Sequence, residues 1–106
     1  FQKLEQSVFQ SIREAFDKEI PTLNSKLPTG YSIGEYQILY PREPQEKLAL
    51  MLIPKLNGNP ITNLLPKDDL FGEFTRLDEV LTDEYKRIEK ECGFQILGFG
   101  IADHFP

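Results

Sequence analysis

Thr75-Arg76-Leu77-Asp78 opens, and Glu91-Cys92-Gly93-Phe94 closes, the stretch that decides the fold; Gln95-Ile96-Leu97-Gly98-Phe99-Gly100-Ile101 runs on from it. Thr75 followed by Asp78 is the acidic variant of a capping box, which ties down backbone N–H groups at a helix start. Leu77, Val80, Leu81, Tyr85, Ile88 and Cys92 recur at helical spacing and form one apolar stripe. Asp78, Glu79, Asp83 and Glu84 crowd the early turns while Lys86, Arg87 and Lys90 come late, a distribution that complements the helix dipole. Gly93 suits a left-handed C-terminal cap. Phe94–Ile101 then reads as a strand interrupted by Gly98 and Gly100.

Upstream, Phe1, Leu4, Val8, Ile12, Ala15, Phe16 and Ile20 mark one face of a helix over residues 1–20, with Glu14 and Lys18 as an i,i+4 pair. Pro21 is expected to end it, because proline lacks the N–H and disfavours helical geometry in the residue before it. Tyr31–Tyr40 reads as a strand: Tyr36, Ile38 and Tyr40 alternate with Glu35 and Gln37, while Tyr31 and Ile33 lie in the opposite phase. The change of phase falls at Gly34, which predicts a β-bulge there. Leu48–Ile53 is apolar on both faces, as in a central strand. Pro54 and Asn57-Gly58-Asn59-Pro60 predict turns. Ile61–Leu65 fits either a short strand or a helical turn. Asp68 or Asp69 could cap a short turn through Phe74, with Gly72 weakening a long helix there.

The order is α-β-β-α-β, an α+β domain with two helices packed on one face of a three- to four-stranded sheet. It is the ferredoxin-like βαββαβ order lacking its first strand. If the second and third strands are parallel neighbours, the second helix makes a right-handed crossover. Splitting residues 67–92 into two helices gives a different order, αββααβ. Some nucleic-acid-binding folds share that order, but the Gly-x-x-Gly loop is missing.

The 106 residues predict one domain, either whole or part of a longer chain. Eight Phe and four Tyr supply bulky surface for a core, which argues against global disorder. A net charge of −5 repels nucleic-acid phosphates and anionic membranes, so neither is expected as a partner, whereas a basic protein surface is compatible. One cysteine excludes an intrachain disulfide framework and fits a reducing, cytoplasmic setting. No apolar run approaches the ~20 residues of a membrane-spanning helix.

No residue pattern demands chemistry. Cys92 sits on the apolar stripe near a helix C-terminus, where the dipole opposes thiolate formation; it reads as a core thiol. His104 beside Asp103 could serve as a general base, but its place near the end of the sequence favours a solvated side chain. Asp68, Asp69, Glu73, Asp78, Glu79, Asp83 and Glu84 lack calcium-loop spacing and read as caps plus a solvated face, or as a landing surface for a basic partner. Pro41-Arg42-Glu43-Pro44 has P-x-x-P spacing, which a hairpin turn also explains. No cofactor, metal or nucleotide-binding signature is present.

The leading expectation is therefore a non-enzymatic interaction or regulatory module. A thin sheet has exposed edges, and the Tyr31–Tyr40 strand should lie on one. Tyr31, Tyr36 and Tyr40 are the candidate anchors for a protein partner or a second copy in a homodimer. The alternative is a small-ligand site over Gly98 and Gly100, which by alternation would face the same side of their strand. An enzyme using carboxylates or His104 is the third reading.

Overall fold

The computed structural model describes residues 2–61 and 67–101. Two helices come first, α1 (Gln2–Asp17) and α2 (Ile20–Lys26). Strands β1 (Tyr31–Leu39), β2 (Ala49–Leu56) and β3 (Asn59–Pro60) follow, then helix α3 (Lys67–Cys92) and strand β4 (Gln95–Phe99). The α-β-β-α-β order is present, with α2 and the two-residue β3 added to it.

Pro21 starts a helix rather than ending one. It occupies the first turn of α2, where its missing N–H removes no helical hydrogen bond. The chain breaks instead after Asp17, with the Glu19 N–H donating to the Phe16 carbonyl at 2.8 Å.

The sheet is mixed. β2 is central: it pairs antiparallel with β1 along one side, and on the other side runs parallel to β4 and antiparallel to β3. The parallel neighbours β2 and β4 are separated in sequence by α3, the crossover that the order implied. The register of β1 on β2 shifts between Ile33 and Glu35, so the bulge at Gly34 is real. An added Cβ at Gly34 would meet the Lys55 side chain, with Cγ at 2.6 Å. The bulge restores phase: Tyr31 and Ile33 before it, and Tyr36 and Ile38 after it, all pack against the same helix-facing core.

That core joins Ile12 and Phe16 of α1, Leu23 of α2, Leu50 and Leu52 of β2, and Leu77, Leu81, Tyr85 and Ile88 of α3 to Phe94 and Ile96. Fully burying a side chain such as Leu50 or Leu52 contributes roughly 1.5–3 kcal/mol. Val80, on the expected stripe, is 45% exposed and lies at its margin. Pro54 does not end β2; it is buried within the strand, opposite Ile33. The turn comes at Asn57-Gly58, both at positive φ, in the two-residue hairpin linking β2 to β3.

α3 is one continuous helix of 26 residues. Thr75 is therefore no cap. It lies inside the helix, and its hydroxyl donates to the Phe71 carbonyl at 2.9 Å. Gly72 is accommodated in the helix with open space around it. Residues 62–65 of the ambiguous Ile61–Leu65 segment lie outside the described residues, as do Phe1, Asp103, His104 and the side chains of Leu4, Asp68 and Asp69; Ile61 is buried.

Candidate functional site: the open length of a sheet edge

Both outer strands pair on one side only among the described residues, so the sheet has two edges, β1 and β4. An unpaired strand edge presents backbone N–H and C=O groups that another strand can take up.

The β4 edge is closed by carboxylates from α3. Ile96 N–H donates to Glu89 Oε2 at 2.8 Å, and Phe99 N–H donates to Asp78 Oδ1 at 3.1 Å. Asp78 also accepts the Tyr85 hydroxyl at 2.8 Å. Burial pushes the Asp78 carboxyl above the usual range, against the opposing effect of these two hydrogen bonds. Burial, and then the Asp78 charge, push the Tyr85 hydroxyl far above its ordinary value.

The first half of the β1 edge is closed by the chain that precedes it. Tyr31 N–H donates to the Pro28 carbonyl at 3.0 Å, and Ile33 N–H to Asn24 Oδ1 of α2 at 2.8 Å. Ile33 thus directs its N–H away from β2. The bulge then inserts one residue, and the alternation of an antiparallel ladder turns the Tyr36 and Ile38 peptide groups outward. No side chain or loop of the described residues closes this length, so Glu35–Leu39 is the open part of the edge.

Tyr31 and Tyr36 pack toward the helices, and Tyr40 lies just past the end of β1. Tyr36 donates its hydroxyl to Asp17 Oδ1 at 2.6 Å, packs edge-on against Phe16, and lies beneath the Arg13 guanidinium at 5.9 Å. Burial, and then the Asp17 carboxylate, push its hydroxyl up to about 12. Tyr31 lies 5.9 Å from the Arg76 guanidinium, and burial followed by hydrogen bonding to Glu73 raises its pKa. The Arg76 hydrogen bond in turn lowers the Glu73 carboxyl. Tyr40 is 46% exposed and meets Phe9 edge-on at 4.8 Å. Beside it a hollow of about 650 Å³ opens, lined by Leu39, Tyr40, Arg42, Lys47, Gln95 and Leu97 among others.

Gly98 and Gly100 do not share a side. A β4 register shift opposite Leu50 and Met51, with Gly98 at φ +106°, breaks the alternation. A Cβ at Gly98 would meet Asp78 Oδ2 at 2.6 Å, whereas one at Gly100 would meet Met51 Sδ at 2.7 Å. Side chains of the same chain therefore occupy the space over both glycines. The close approach of helix to strand explains Gly98.

Cys92 is half-buried and lines a groove of about 350 Å³ with Val8, Ile12, Leu48 and Phe94. Burial raises its thiol pKa, and Glu19 and Glu91 add to the effect, so the thiol is not activated. His104 lies outside the described residues. Within the acidic run, Glu84 and Arg87 form an ion pair at 2.8 Å, and Arg87 also reaches Glu19, the residue preceding α2, at 2.6 Å, and Glu91 at 3.2 Å. Among the described residues no group of three or more Asp, Glu, His or Cys side chains is placed to hold a metal ion, and no helix is long and apolar enough to cross a membrane.

The amide acceptors Asn24, Asp78 and Glu89 were missed by sequence reasoning. Each is an ordinary polar residue on a helix, and only the fold shows what it caps. Comparison with family models, with curated proteins and with solved structures finds no match in any of the three.

Proposed function

We propose that this protein is a non-enzymatic interaction or regulatory module that takes up an extended protein segment along Glu35–Leu39 of β1. The observation that carries the reading is the selective closure of the edges. Tyr31, Ile33, Ile96 and Phe99 have acceptors within the chain, and among the described residues the Tyr36 and Ile38 N–H groups have none. Strand addition supplies main-chain hydrogen bonds for affinity and neighbouring side chains for specificity. The chain carries net charge −5, which disfavours nucleic acid as the partner. A single cysteine suits a cytoplasmic, reducing setting.

Ile38→Pro tests the reading. The substitution deletes an outward N–H without deleting a bond to β2, and proline is a natural blocker of strand edges. Native mass spectrometry of the purified chain and of I38P, with circular dichroism to confirm folding, should show association in the first and its loss in the second. Undiminished association of a folded I38P protein would contradict the proposal.

A further inference from the structure

We infer that the segment taken up by this edge is the same edge of a second copy, joined antiparallel about a two-fold axis at Gln37. The inference rests on the edge reading above and adds the identity of the partner.

The open length is self-complementary. About Gln37, Tyr36 falls opposite the second copy's Ile38, and Glu35 falls opposite its Leu39. Glu35 is the only charged residue in the segment, so no like charges meet across the new ladder. Tyr36 and Ile38 are both outward-directed positions, so the facing peptide groups can exchange hydrogen bonds. Gln37 lies on the sheet face away from the helices, because Tyr36 and Ile38 on either side of it pack against the helix-facing core. Its amide meets its own mate at the axis, and two amides can each donate and accept.

The helix beside the edge is complementary in the same sense. Arg13 lies over the Tyr36 ring and Asp17 accepts the Tyr36 hydroxyl, placing one charge of each sign on α1 above this strand. A two-fold axis normal to the sheet keeps both helical layers on one face and runs the two α1 helices antiparallel. This is an isologous contact, in which one patch meets itself and the assembly closes at two.

The test uses charge at the axis. Gln37→Lys and Gln37→Glu place like charges against each other only when the partner is a second copy, and neither touches the core. Sedimentation velocity of the wild-type chain should show a concentration-dependent species of twice 12.2 kDa. Q37K and Q37E should each weaken it roughly tenfold or more, since like charges brought together at an interface are strongly disfavoured. An equimolar mixture of the two variants should restore pairing. A wild-type chain that stays monomeric into the millimolar range overturns the inference, as does a dimer that Q37K leaves unchanged. If the chain is monomeric but binds a different protein in a way that I38P abolishes, the second copy is excluded while the edge reading stands.

Discussion

Asp78 of α3 accepts the Phe99 N–H at 3.1 Å across 21 residues of chain, and the same oxygen accepts the Tyr85 hydroxyl. One carboxylate thereby fixes the last strand to the long helix and occupies an amide that would otherwise sit on a bare edge. Asp78→Ala leaves a half-buried hydroxyl and an amide without their acceptor. The expected loss is about 1.5–3 kcal/mol in urea denaturation, the usual range for hydrogen bonds to a charged group.

The Asp78 carboxyl titrates higher in the folded chain than unfolded, chiefly through burial. The folded state then holds the proton more tightly, so the Asp78 contribution is fully present below the unfolded pKa and declines as pH rises through the folded value. Asp78→Asn keeps an acceptor and removes the titration. Denaturation curves between the two pKa values should show wild-type stability falling, relative to D78N, as pH rises. A difference that is flat or grows with pH contradicts this assignment.

Gly98 and Gly100 should respond unequally to alanine. Gly98 combines φ +106° with a Cβ position 2.6 Å from Asp78, so G98A is expected to cost about 1–3 kcal/mol. Gly100 lacks the positive φ, and its near neighbour is the flexible Met51 side chain. G100A should lower the thermal midpoint less than G98A does.

Tyr36→Phe removes the hydroxyl held by Asp17 and should cost about 1 kcal/mol. In alkaline absorbance titration the wild-type chain should show a tyrosine ionising near 12 that Y36F lacks. Because that pKa is raised on folding, the contribution is fully present below the unfolded value of 10.0 and is lost as pH rises through about 12.

Arg87 joins α3 to Glu19 at the start of α2 while also pairing with Glu84 and Glu91. Arg87→Ala should lower the denaturation midpoint, and added salt should narrow its difference from wild type, because the network is partly exposed to solvent. Arg87 lowers the Glu84 carboxyl. That part of the stabilisation is present above the unfolded pKa and fades as pH falls through the folded one.

The fold was legible where one periodicity ruled a segment. Tyr36 and Ile38 against Tyr31 and Ile33 located the bulge, and the apolar run at Leu48–Ile53 marked the central strand. The helix boundaries were harder, because Thr75 and Asp78 imitate a cap in the interior of a helix and Pro21 serves equally at a first turn. The edge strand could be read from sequence, but which part of it stays open could not. Asn24 reaches Ile33 across nine residues, Glu89 reaches Ile96 across seven and Asp78 reaches Phe99 across 21, so closure is a property of tertiary structure. The tyrosines stand out in the sequence, but the direction of Tyr36 toward α1 and of Tyr31 toward α3 follows from packing.

Amide hydrogen exchange resolved at single residues tests the central claim most directly. In the dilute, unassociated chain, Ile33, Ile96 and Phe99 should be protected, and Tyr36 and Ile38 should exchange rapidly. On association, protection should appear at Tyr36 and Ile38. Protection of these two amides in the isolated chain, or their continued rapid exchange in the associated form, would contradict the account.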